Sequence, residues 1–126
     1  MINFFIKSSL AWFILFSTLP FNAVASEETK LKSQRYYDDG LLLSRAEHWK
    51  QASDEFRMAI QFDPLNKLAY ANLGVALSQL EKHKEALLAV DKAIMLGYDH
   101  SLFRYNRGLS FAKLNLFKEA TQELEL

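Results

Sequence analysis

The chain has no cysteine, two prolines and four glycines in 126 residues, and its 15 basic side chains balance 15 acidic ones. Without cysteine there is no disulfide and no residue to acylate, so a lipid-anchored product is excluded and an exported form would depend on packing alone. The balanced charge gives no basis for a nucleic-acid partner or an anionic membrane surface. The three histidines, His48, His83 and His100, have no second histidine or acid at helical metal-pair spacing. Without thiolates a zinc site is not expected. No G-x-S-x-G elbow and no phosphate-binding glycine loop is present. Asp38 and Asp39 are adjacent, and neighbours one apart on a helix point to different faces, so they do not make an acid–base pair. These absences point away from an enzyme and from any cofactor.

The first 25 residues differ from the rest. Met1 to Ala25 carry one ionisable side chain, Lys7, followed by the run Leu10-Ala11-Trp12-Phe13-Ile14-Leu15-Phe16. Pro20 then breaks any helix, and Ala23-Val24-Ala25 offers small residues to a signal peptidase. That order describes a secretory signal peptide over residues 1–25, cleaved before Ser26. The apolar stretch Ser8 to Leu19 is shorter than the ~20 residues that span a bilayer. The alternative is an uncleaved membrane anchor in which Lys7 snorkels to the interface. The expected location is therefore outside the cytoplasm, in the periplasm of a Gram-negative bacterium, with no membrane contact after cleavage.

The most informative feature that is present is a period. Gly40, Gly74 and Gly108 are 34 residues apart. Twelve residues after each comes Ala52, Ala86 or Ala120, and four further on Phe56, Val90 or Leu124. Self-similarity at such a period marks a stacked-repeat protein. Within each period, apolar residues recur at spacings of three and four, as on one face of a helix. Helices are expected from Ser33, then from about Trp49, over Leu68–Leu80, Lys84–Leu96 and Leu102–Leu114, and from Phe117 onward. Ser26 to Lys32 is a polar lead-in expected to fray. Asp63-Pro64 closes the first unit, and Gly97 ends the fourth helix as a left-handed cap. No alternating run supports a strand. The fold class is all-α, an α-solenoid of antiparallel helix pairs.

A mid-helix glycine costs ~1 kcal/mol relative to alanine. Three in register suggest that a second helix crosses too closely for a side chain. Ala52, Ala86 and Ala120 are expected as the other half of that contact, with Phe56, Val90 and Leu124 filling the space beside it. Trp49, His83 and Phe117 occupy equivalent places at the start of the second helices, where they would plug the turn.

On these residues the chain resembles the tetratricopeptide repeat proteins. The second unit carries Tyr70, Leu73-Gly74, Leu77, Ala86, Val90 and Ala93, and the first carries Tyr36, Gly40, Leu43, Ala52, Phe56, Ala59 and Pro64. The third has Gly108, Phe111, Phe117, Ala120 and Leu124, with Arg104 and Arg107 in slots usually apolar. The units are 33–66, 67–100 and a partial 101–126. The resemblance implies a right-handed superhelix whose first helices line a concave, partner-binding groove. Carried over by position, the groove residues are Tyr37, Leu41, Ser44 and Arg45, then Leu68, Ala71, Asn72, Val75 and Gln79, then Leu102, Tyr105, Asn106, Leu109 and Lys113. Several, Leu68 and Leu102 among them, could equally pack the stack.

One branch of that family grips a peptide carboxylate with two lysines, an arginine and two asparagines. Here only Asn72 matches, while Tyr37, Leu41, Leu102 and Asn106 replace the others, which implies an apolar peptide or amphipathic helix instead. The expected function is thus an exported interaction scaffold for an envelope partner. The alternatives are a structural or self-associating repeat protein, joined through an uncapped C-terminal helix, or the N-terminal piece of a longer one.

Overall fold

The computed structural model describes residues 26–125; the leader expected at residues 1–25 and Leu126 lie outside them. Among the described residues there are six helices and no strand. Helix α1 covers residues 26–45, followed by α2 (Trp49–Phe62), α3 (Lys67–Gln79), α4 (His83–Met95), α5 (Ser101–Lys113) and α6 (Phe117–Leu124). They form three antiparallel pairs, α1/α2, α3/α4 and α5/α6, stacked in chain order. None of these helices is long and apolar enough to cross a membrane.

The lead-in is helical. Residues 26–32 continue α1 upstream, with Glu28 on Lys32 at 2.6 Å and the Thr29 hydroxyl on the Ser26 carbonyl at 3.0 Å. Opposite charges four apart support an exposed helix end, and a polar composition alone did not reveal this pairing. Ser33 is where α1 meets the stack: its hydroxyl donates to the Ala59 carbonyl at 2.8 Å and accepts from Asn66 at 3.0 Å. Asn66 also caps α3 by accepting from the Ala69 amide at 3.0 Å. One asparagine thus satisfies an open helix N-terminus and ties unit one to unit two. Pro64 lies in the turn before this cap, outside the helix.

The three glycines do mark close crossings, but the partner differs from the expected one. A β-carbon on Gly40 would fall 2.6 Å from the Phe56 ring, and one on Gly108 would fall 3.0 Å from Leu124 Cγ. On Gly74 it would overlap Val90, with the Ala86 carbonyl 3.3 Å away. The large residue sits over the glycine, and the alanine lets the helices approach. The plugging role holds for Trp49, which is half-buried against the first core cluster. It fails for Phe117, which is 64% exposed, because no further helix among the described residues lies beside α6.

The core is divided between the unit boundaries. Ala52, Phe56, Leu73, Ala76 and Leu77 form the first cluster with Ala86 and Ala89; Ala71, Val90, Ala93 and Phe103 form the second. Burying a side chain the size of Phe56 contributes about 2–3 kcal/mol. The turns inside the pairs repeat as well. Glu47, Glu81 and Asn115 adopt φ of 60°, 59° and 61°. After each, the next amide bonds back six-to-one, His48 to Leu43, Lys82 to Leu77 and Leu116 to Phe111, all at 2.9 Å. This is the Schellman geometry that usually selects glycine. Gly97, at φ 87°, makes the same turn after α4, as the sequence implied.

Candidate functional site

Helices α1, α3 and α5 lie side by side as the first members of their pairs, and one face of each is turned away from the second helices. On α5 that face carries Leu102, Tyr105, Asn106, Leu109 and Lys113, which fall within one narrow stripe at helical spacing. Gly108, Phe103 and Ser110 lie on the buried sides of the same helix. Leu102, Tyr105 and Leu109 are 55%, 52% and 38% exposed, and Leu68 on α3 is 37% exposed. Four large apolar side chains therefore remain open on the stripe, and neither Leu68 nor Leu102 is consumed by the core.

The other expected residues divide into three groups. Tyr37, Leu41, Ser44, Asn72, Val75 and Asn106 are half-buried, while Arg45, Gln79 and Lys113 are exposed. Ala71 corrects the expectation: it is fully buried with Val90, Ala93 and Phe103, because a methyl group at this point admits the Phe103 ring between units. It lines no surface.

Two polar groups set the floor. Asn72 donates to the Tyr37 hydroxyl at 3.3 Å and to the Leu68 carbonyl at 3.0 Å, so its amide is already committed. Burial pushes the Tyr37 hydroxyl above the ordinary phenol range; Tyr98 and Asp38 add to this, and the Asn72 hydrogen bond opposes it. The phenol remains a neutral donor with its proton unspent on Asn72. Asn106 stands in the register of Asn72, but Ala71 takes the place of the tyrosine, so it has no equivalent partner.

Arg45, Gln79 and Lys113 fall 34 residues apart at the ends of α1, α3 and α5, forming one polar rim. Arg45 and Lys113 enter no ion pair among the described residues, whereas Arg104 and Arg107 are engaged within the stack. Arg104 pairs with Asp99, and Arg107 with Asp91 at 2.7 Å and with Glu123. Arg107 is held above its ordinary value by the hydrogen bonds and charges of Glu123 and Asp91, against the opposing effect of burial. The histidines are separate: His48 is exposed in a turn and His100 accepts from the Leu102 amide at 3.3 Å. No group of three or more His, Asp or Glu side chains among the described residues converges on a metal-sized site.

Solved structures share this arrangement. The second TPR domain of Spaghetti (RPAP3), bound to the HSP90 peptide SRMEEVD, superposes with a TM-score of 0.75 at 25% identity, covering 80% of this chain and 93% of that one. The fold is that of a tetratricopeptide repeat domain. A TPR domain of Arabidopsis OM64 superposes with a TM-score of 0.73 at 21% identity, covering 77% of this chain and 80% of that one. No family model matches the sequence. Among curated proteins, the peroxisomal targeting signal receptor of Kluyveromyces lactis is 31% identical over 85 residues, which is 68% of this chain and 15% of the receptor. A STIP1 homolog of Dictyostelium discoideum is 30% identical over 98 residues, 78% of this chain and 17% of that protein. The chain thus spans less than a fifth of the length of these two curated relatives.

Proposed function

We propose that this chain is an interaction scaffold that holds an apolar peptide, or the apolar face of an amphipathic helix, in the groove of α1, α3 and α5. The observation that carries the reading is the exposed stripe of Leu68, Leu102, Tyr105 and Leu109. Open apolar side chains brought into one row by separate helices suit helix-in-groove recognition. Arg45 and Lys113 on the rim favour an acidic residue on the partner's polar side. The peptide held by the Spaghetti TPR domain supports a binding role for this fold. The composition of residues 1–25 supports export, and hence a partner in the cell envelope.

Site-specific photo-crosslinking tests both parts. A crosslinking amino acid at Leu109 or Gln79, in the full chain expressed in its own host, is expected to capture one envelope protein. The same group at Asp54, exposed on α2, is expected to capture none. Equal capture from Asp54 and Leu109 would sink the groove assignment, and capture of cytoplasmic proteins alone would sink the export reading.

A further inference from the structure

On the side of the stack formed by the second helices, α2 and α4 flank an open cleft of about 340 Å³. Buried Leu73, Leu77 and Ala89 form its floor, with Tyr70 and Leu88 as apolar walls. Arg57 on α2 pairs with Glu85 on α4 across the rim at 3.0 Å. Both walls belong to complete helix pairs, so a further repeat would not cover the cleft. The 34-residue register explains why it is open. One unit on, the positions of Leu73, Ala89 and Arg57 hold Arg107, Glu123 and Asp91, and there the arginine pairs with both acids. Leucine and alanine are shorter than arginine and glutamate, so space remains at the first boundary.

Beside the cleft, Lys84, Leu88, Lys92 and Met95 fall within one narrow stripe of α4 at helical spacing. Leu88 and Met95 are 72% and 78% exposed. Lys84 and Lys92 enter no ion pair among the described residues, whereas the neighbouring acids Glu85 and Asp91 are answered by Arg57 and Arg107. The stripe is therefore apolar with a surplus of positive charge. We propose that this face of α2 and α4, separate from the groove and independent of that reading, docks an acidic amphipathic helix of a protein partner. One large apolar side chain enters the cleft against Leu73, Leu77 and Leu88. Acids one turn to either side of it, about 12 Å apart, meet Lys84 and Lys92. A second apolar residue, two turns from the first, covers Met95.

A second copy of the chain fits poorly. Symmetric pairing through this stripe sets Lys84 of one copy against Lys92 of the other, and like charges facing each other oppose association. The exposed Leu31 of a second copy is flanked by Lys30 and Lys32, which would meet the same lysines. Asp54 on α2 is engaged with Lys50 at 3.2 Å and lines no part of the cleft, so it lies outside the contact.

The test uses a stapled helical peptide with one phenylalanine, a glutamate one turn to either side and a leucine two turns on, titrated into the full chain by fluorescence anisotropy. Saturable one-to-one binding is expected, weakened on the order of tenfold by Lys84→Glu with Lys92→Glu because like charges then face each other. A twin peptide with lysines for the glutamates is expected to bind wild type poorly and to recover on that double variant. Leu88→Gln, or alanine for the peptide phenylalanine, is expected to weaken binding by a similar factor. Circular dichroism of these surface variants checks that the fold is intact. No binding, or equal affinity for wild type and the double variant, overturns the proposal. Loss of binding in Leu109→Glu would place the peptide in the groove and overturns it too. So does a dimer, seen by light scattering, that Leu88→Gln dissolves, since a second copy is then the occupant.

Discussion

Gly74 on α3 lies directly under Val90 on α4, so close that a β-carbon on the glycine would overlap the valine methyl. Valine is stiff at χ1, Val90 is buried, and neither side can move cheaply. The Gly74→Ala change gains ~1 kcal/mol of helix propensity but meets an overpacking cost of roughly 1–3 kcal/mol. A net loss of about 1 kcal/mol is expected in urea unfolding. Gly108→Ala should be nearly neutral, because Leu124 at 3.0 Å is half exposed and can swing away. Adding Val90→Ala to Gly74→Ala should relieve part of the clash, so that the pair costs less than the sum. An unchanged midpoint for Gly74→Ala would refute the close-crossing account.

The repeated left-handed turns predict gains. Glu81 holds φ 59°, a region that costs a residue with a β-carbon roughly 1–2 kcal/mol. Glu81→Gly should stabilise the protein by about 0.5–1 kcal/mol after the added chain entropy is counted. Asn115→Gly should gain less, because asparagine tolerates this conformation. Gly97→Ala should lose about 1 kcal/mol despite open space around it, since its φ is 87°. Thermal midpoints in that order are the check.

Asn66 does two jobs, and substitutions can separate them. Asn66→Ala removes both the α3 cap and the bond to Ser33, with an expected loss of about 1–2 kcal/mol. Asn66→Asp keeps the cap acceptor but loses the donor to Ser33, and should cost less. If Asn66→Asp proves as damaging as Asn66→Ala, the cap is not the larger contribution.

The Arg104 hydrogen bond holds the Asp99 carboxyl below the ordinary aspartate range. A depressed carboxylate stabilises the fold above its unfolded value and loses that contribution as pH falls through the folded one. Asp99→Asn should therefore lower stability slightly at neutral pH, with the difference from wild type vanishing in strong acid. Added salt should shrink it too, as both groups are exposed. Denaturant midpoints at pH 7 and pH 3 are the check, and a difference that grew toward acid would contradict this account.

For the groove, the SRMEEVD peptide of the Spaghetti complex is expected not to bind. The resemblance implies that Tyr37, Leu41 and Leu102 stand where a carboxylate-gripping groove carries polar groups, and Asn72 is committed to Tyr37 and Leu68. Calorimetry giving a micromolar Kd would overturn the apolar assignment of the groove.

Much of the fold was legible because helix pairing writes itself into a one-dimensional period. Glycine, alanine and a large residue must recur wherever two helices cross at the same point, and Gly40, Gly74 and Gly108 record that. The left-handed turns were hidden because Glu47 and Glu81 are not the residues that geometry prefers. The exposed stripe was legible by position. The burial of Ala71 was not, since nothing near it in sequence announces that Phe103 will enter beside it. The ion pairs of Arg107 were not legible in its slot, because only the fold brings Asp91 on α4 and Glu123 on α6 to it.

By itself the sequence determined the class, the period and the helix pairs, because these follow from local propensity and the spacing of apolar residues. It also determined the uncommitted charge balance and the chemical character of residues 1–25. Tertiary structure alone decided which member of each column touches the glycine and which groove residues face outward. Those depend on contacts between residues far apart in the chain. Burial there is set by which neighbour arrives, and no local pattern encodes the arrival.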